Sequence, residues 1–145
     1  MENQSFTTAI VVKQSVADVF KTLLNVRAWW SGLYDESFEG NSEKVGDEFS
    51  FLAGGRAHYT KQKMVELVQN RKVVWLVTEA NLSFVNKTEE WNGTKIAFEI
   101  SQELDKTKIV FTHVGLVPEF ECYDSCAQAW TQYVQERLTD ALAQT

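Results

Sequence analysis

The chain has 145 residues, 44% hydrophobic, 12% aromatic and 23% charged, a globular composition that can bury about two-thirds of its unfolded surface without a metal or disulfide staple. Its net charge of −6 and its pI near 4.9 argue against nucleic acid and anionic membrane surfaces as partners, because both need a basic face. The opening residues Met1 to Ser5 hold no basic leader and no apolar run, so the expectation is one domain over residues 1–145, cytoplasmic, with reduced cysteines and unused sequons at Asn3, Asn81, Asn86 and Asn92.

Residues 5–13 alternate around Phe6, Thr8, Ile10 and Val12 and read as a strand. Ser15-Val-Ala-Asp18 fits a capping box, and Val16, Val19, Phe20, Leu23 and Leu24 follow at helical spacing. A short second helix is expected over residues 27–32, ended by Gly32. Strands are then predicted over 47–53 and 56–68, with Gly54-Gly55 as a two-residue hairpin turn. Lys72 to Glu79 is an apolar run entered through Asn70-Arg71. Residues 93–104 and 107–114 pair across Asp105-Lys106. After Pro118, the sole proline, a helix of about six turns is predicted over 120–142.

On that helix Cys126, Trp130, Tyr133, Val134, Arg137, Leu138, Ala141 and Leu142 fall in one stripe. A stripe this long needs an extended apolar surface, and only the sheet provides one. The strands and helices are segregated along the chain, which makes the class α+β. The expected architecture is a curved antiparallel sheet of about six strands wrapped around a long C-terminal helix, with two short helices after the first strand.

The candidate chemistry is sparse. His113 alternates with Ile109 and Phe111 and shares their face, where it would be either a ligand or proton-transfer group or a buried imidazole satisfied by a backbone or hydroxyl partner. The want of a second catalytic group favours the latter. His58, just past the glycine turn, is the other polar candidate. Cys122 and Cys126 share a helix face, but two thiols and a histidine are too few for tetrahedral zinc, and packing thiols are the better reading. The carboxylates beside them, Glu119, Glu121 and Asp124, suit helix-start capping. Trp29, Trp30, Trp75, Trp91, Phe98, Phe111, Trp130 and Tyr133 are core payload at least in part; the rest could wall a pocket for an apolar or aromatic ligand. Arg56 and Arg137 are the cations nearest such a pocket, and Arg137 sits oddly on the inward stripe. No phosphate-binding glycine loop, nucleophile–histidine–acid order or paired carboxylate motif occurs.

Several of these segments together resemble a known family. They are Ser15-Val-Ala-Asp-Val-Phe20, Trp29-Trp30-Ser31, Gly46-Asp-Glu-Phe-Ser-Phe51, Val73-Val-Trp75, Glu90-Trp91, Gly93-Thr94, Phe111-Thr-His113, Gly115-Leu116, Pro118-Glu119, Cys122-Tyr123, Cys126 and Trp130. In order and spacing the chain resembles the START-like (SRPBCC) superfamily with its helix-grip fold. More narrowly it is similar to bacterial homologues of the C-terminal domain of the activator of the ninety-kilodalton heat-shock chaperone ATPase.

The resemblance implies a cavity between sheet and helix, with Trp130 and Tyr133 facing it and Trp30 over its mouth. The expected ligand-binding set is Trp30, His58, Trp75, Phe98, Phe111, His113, Trp130 and Tyr133. The leading expectation is non-catalytic binding of a hydrophobic or aromatic small molecule, lipid-like or polyketide-like, with no cofactor and no metal. A cyclase- or hydratase-like enzyme using His113 and Tyr133 is one alternative. A co-chaperone stimulating a chaperone ATPase is a weaker one, because the chain lacks the activator's further domain. A homodimer is left open.

Overall fold

The computed structural model describes residues 5–144 apart from Arg56. Seven strands form one antiparallel sheet in the order β1-β7-β6-β5-β4-β3-β2. They are β1 (Phe6–Val12), β2 (Ser37–Gly40), β3 (Glu48–Ala53), β4 (His58–Val68), β5 (Lys72–Leu82), β6 (Lys95–Glu103) and β7 (Lys106–Val114). The helices are α1 (Val16–Leu24), α2 (Val26–Trp29), α3 (Tyr123–Gln132) and α4 (Leu138–Leu142), with a π-helical turn over Tyr133–Arg137 joining the last two.

Local sequence explains most of these elements. The Ser15 hydroxyl accepts from the Asp18 backbone N–H at 3.1 Å, as the capping box requires. Alternation puts Phe49, Phe51, Thr60, Gln62, Met64, Val73, Trp75, Ile96, Phe98, Ile109, Phe111 and His113 on the one buried face. The C-terminal helix lies across that face and buries Cys126, Trp130, Tyr133, Val134, Leu138 and Leu142. Register shifts at Lys61/Gln62 and Met64/Glu66, where β4 pairs with β5, mark bulges that bend the long strands around the helix.

The structure differs from the expectation in several places. The second helix runs over Val26–Trp29 and is capped at Trp30, whose N–H donates to the Val26 carbonyl, so it stops short of Gly32. The sheet has a seventh strand: β2 is four residues long with a single inward hydrophobe, Phe38, too little alternation to read as a strand. The β3–β4 turn spans residues 54–57, because Ala53 pairs with His58. The β6–β7 turn is Leu104-Asp105, since Glu103 pairs with Lys106, and Leu104 takes a φ of +54° there. The strand from Lys72 runs on to Leu82. The long helix is not uniform: its π-helical turn falls where the stripe crosses from Tyr133 to Arg137. Such turns often sit at functional sites.

Candidate functional site

A cavity of about 220 Å³ lies between the β3–β4 end of the sheet and the first turns of α3. The helix side supplies Ser125, Cys126, Ala129, Trp130 and Tyr133; the sheet side supplies Phe51, Ala53 and His58; Trp30, Trp91 and Phe84 complete the walls. Tyr34 and Phe84, 43% and 46% exposed, stand at its rim.

Four of the eight expected site residues therefore meet here: Trp30, His58, Trp130 and Tyr133. The other four do not line the cavity. Trp75, Phe98, Phe111 and His113 are wholly buried beneath it, because their strands run on past the cavity into the packed centre of the grip. Trp75 packs on Phe49 and Phe98, and Phe111 on Phe98 and Trp130. Trp30 is no cover for the mouth. It is 1% exposed, stacked on Phe51 at 4.6 Å and tilted against Trp130 at 4.9 Å, and forms the inner wall.

His113 is a structural imidazole. The Trp130 Nε1–H donates to its Nδ1 at 3.0 Å, and its Nε2 lies 2.8 Å from the Thr94 hydroxyl. That hydroxyl spends its own hydrogen on the Trp91 carbonyl at 2.7 Å, so His113 Nε2 must carry the ring proton and donate it. Burial, with a smaller contribution from His58, pushes the His113 pKa down to about 3. The ring is neutral, satisfied at both nitrogens and out of reach of any ligand in the cavity.

His58 is different. It sits among three rings: edge-on to Trp91 at 4.7 Å, edge-on to Phe51 at 5.4 Å, and stacked with Phe84 at 6.0 Å. Its Nδ1 is buried and has no hydrogen-bond partner. Burial lowers its pKa to about 4; its own backbone carbonyl opposes this weakly without closing a hydrogen bond. The next two inward side chains of β4 are also polar, and Thr60 Oγ1 and Gln62 Oε1 likewise lack partners, as does Trp75 Nε1 on β5. Buried polar atoms of this kind call for an explanation.

The rim is held by a carboxylate. Glu36 accepts from the backbone N–H groups of Gly32 (2.8 Å), Leu33 (3.2 Å) and Tyr34 (3.0 Å), and from the Tyr133 hydroxyl at 2.5 Å. Burial raises its pKa, but these donors outweigh burial and the net shift is downward. The Tyr133 hydroxyl is pushed up by burial and by Glu36. Tyr34 is pinned above the cavity by its hydroxyl on Gln132 (3.0 Å) and by its carbonyl on the Gly54 N–H (2.9 Å).

Arg137 serves the same loop. Its Nε donates to the Ser31 carbonyl at 2.9 Å, and its guanidinium reaches Asp140 at 3.8 Å. This explains a charge on the inward stripe. Arg56, the other cation considered, lies outside the described residues.

Both cysteines are free. Cys122 stands at the start of α3 and accepts from Trp91 Nε1 at 3.4 Å; the neighbouring Cys126 thiol and this indole lower its pKa, while Cys122 and burial raise that of Cys126, the one facing the cavity. Capping of α3 comes from afar: Glu90 accepts from the N–H groups of Glu121 (2.8 Å) and Cys122 (3.3 Å), while Glu121 binds Asn86. Among the described residues no group of three His, Cys, Asp or Glu could hold a metal ion, and no helix is long and apolar enough to cross a membrane.

A helix gripped by an open antiparallel sheet, with paired short helices after the first strand, invites comparison with known proteins. The family model described as Activator of Hsp90 ATPase homolog 1-like protein matches residues 13–143. The chain belongs to this family.

Its fold is shared with the Aha1 dimer from Colwellia psychrerythraea, at 24% identity, 95% of each chain and a TM-score of 0.73. The protein MLL2253 from Mesorhizobium loti is similar at 14% identity, 96% of this chain and 98% of that one, with a TM-score of 0.70. DynU16, from the dynemicin biosynthetic locus, aligns over 98% of this chain and 48% of its own at 10% identity and a TM-score of 0.65. A comparison with curated proteins found no match. At these identities the likeness to solved structures carries the fold alone. The family membership supports a ligand-binding domain of the helix-grip kind.

Proposed function

We propose that this family member binds a small hydrophobic or aromatic molecule, without transforming it, in the cavity between Phe51, His58 and the Trp130–Tyr133 face of the helix. The observation that carries this reading is the cavity itself: about 220 Å³, walled almost wholly by aromatic and aliphatic side chains and bordered by exposed Tyr34 and Phe84. An apolar cavity of about 150 Å³ suffices for benzene, so this one suits a ligand of one or two fused rings.

The catalytic alternative rested on His113 and Tyr133. Both His113 nitrogens are engaged, and the Tyr133 hydroxyl is committed to the Glu36 carboxylate. Neither is poised to move a ligand's proton, which supports simple binding. Two buried free thiols are in keeping with a reducing compartment such as the cytoplasm. A homodimer is proposed as well, on the likeness to a protein described as a dimer; light scattering that returns the single-chain mass of 16.6 kDa would rule it out.

Binding is tested by titrating naphthalene against tryptophan fluorescence, since Trp30, Trp91 and Trp130 all wall the cavity. Saturable quenching is expected in the wild type. It should vanish in Ala129→Phe, which fills the cavity from the helix side. Absence of saturable quenching in the wild type, or equal quenching in a folded Ala129→Phe variant, would refute the proposal.

A further inference from the structure

The cavity is apolar in area but not in every atom, and the exception identifies a class of ligand. Among the described residues that line it, none carries a formal charge at neutral pH. Its polar side chains are Tyr34, His58, Ser125, Cys126 and Tyr133. Most of these are already accounted for. Tyr34 donates to Gln132, Tyr133 donates to Glu36, and the Cys126 thiol, held protonated by its neighbour Cys122 and by burial, is a weak polar group. Ser125 also lines the cavity, but it is exposed, and water can meet its hydroxyl.

His58 is the residue left over. Its Nδ1 is sealed from solvent and has no hydrogen-bond partner, and among the described residues none is seen for its other ring nitrogen. The aromatic rings of Trp91, Phe51 and Phe84 fix the plane of the imidazole and offer no hydrogen-bond partner in return. Leaving the buried Nδ1 unpaired costs about 1–3 kcal/mol, so a ligand hydroxyl that meets it once the imidazole turns towards the cavity gains what the empty site forgoes.

We propose that the cavity selects a neutral aromatic alcohol, a phenol-type ligand, whose ring lies between Trp30, Trp91 and Trp130 and whose hydroxyl pairs with the imidazole of His58. This rests on the ligand-binding reading above and narrows it. A hydroxyl suits the site because it both donates and accepts, so it can meet whichever nitrogen of a neutral imidazole faces it. A carboxylate would be buried among rings with no described cation beside it, at a cost of several kcal/mol. A quaternary ammonium would suit the ring faces but has no N–H or O–H to give the imidazole. A plain hydrocarbon would fill the space and leave His58 unpaired.

The test compares naphthalene, 2-naphthol and 2-naphthoate as probes, by calorimetry, on the wild type, His58→Phe and His58→Gln. The wild type should bind 2-naphthol about 5- to 10-fold more tightly than naphthalene, the worth of one net hydrogen bond. His58→Phe keeps the aromatic box and should lose or reverse that preference; His58→Gln, which can still pair a hydroxyl, should keep part of it. Naphthalene binding as well as 2-naphthol in the wild type, or an undiminished preference in His58→Phe, overturns the hydroxyl proposal while cavity binding stands. Tightest binding of 2-naphthoate overturns it too. If no probe binds, both readings fall. Should His58→Phe fail to fold, the wild-type probe ranking and His58→Gln decide.

Discussion

The indole of Trp130 donates to the imidazole of His113 at 3.0 Å, across the seam between the gripped helix and strand β7. This bond belongs to a chain that runs on through Thr94 to the Trp91 carbonyl. Two of the rings that wall the cavity, Trp130 and Trp91, are thus tied to one buried histidine. Trp91 is also held edge-on between both histidines, at 4.4 Å from His113 and 4.7 Å from His58. Hydrogen bonding places the rings, and the rings in turn shape the cavity.

Replacing His113 tests that dependence. His113→Phe keeps the volume roughly but strands the Trp130 N–H in a dry interior and removes the donor to the Thr94 oxygen, whose own hydrogen stays on the Trp91 carbonyl. A loss of about 2–3 kcal/mol in unfolding free energy is expected, read by urea denaturation. A change below about 0.5 kcal/mol would show that the chain of hydrogen bonds contributes little.

Acid should destabilise the protein early. His58 and His113 have folded-state pKa values of about 4 and about 3, below the ordinary 6.5. Between 6.5 and those values the unfolded chain binds protons that the folded chain refuses. Their contribution is therefore fully present above about pH 6.5 and is lost as pH falls towards 4 and then 3. Each group gives a slope of up to about 1.4 kcal/mol per pH unit. Unfolding free energy should drop by about 3 kcal/mol from near pH 7 to about pH 5. The same experiment on His113→Phe should show a shallower decline; an equal decline would place the titration elsewhere.

Gly32 should not tolerate a side chain. Its φ of +91° is one that L-residues rarely adopt, and an added Cβ would lie 2.6 Å from a guanidinium nitrogen of Arg137. Gly32→Ala is expected to cost about 1–3 kcal/mol, from backbone strain and from displacing Arg137 off the Ser31 carbonyl. Adding Arg137→Met removes the steric part only, so the two changes should couple favourably by about 0.5–1 kcal/mol in a double-mutant cycle. Strict additivity would mean that the guanidinium yields at no cost.

Much of the fold was legible in the residues. Alternation, a compact apolar run from Lys72 and the turn signals between segments identified six of the seven strands, and the Ser15 box and the 3.6-residue stripe gave α1 and the C-terminal helix. Those signals are local, since each strand or helix must bury one face whatever it meets. The same alternation put His113 on the buried face beside Ile109 and Phe111. It could not say that a tryptophan from the helix and a threonine just before β6 would meet both nitrogens there.

Periodicity reports that a side chain turns inward; it does not report what stands opposite. Trp75, Phe98 and Phe111 turn inward as surely as Phe51 and Trp130, yet only the latter pair faces open space. That difference is set by the gap between two layers: how Trp30 stacks, where Glu36 gathers three backbone N–H groups and Tyr133, and how the π-helical turn sets the helix over the sheet. None of these contacts lies within one element, and the partners of Glu36 and His113 stand up to 97 and 19 residues away. By itself the sequence determined the helix grip and its buried faces, because burial is written in each segment. Only tertiary structure decided which rings wall a cavity and which histidine is left without a partner, because both depend on atoms brought together from distant segments.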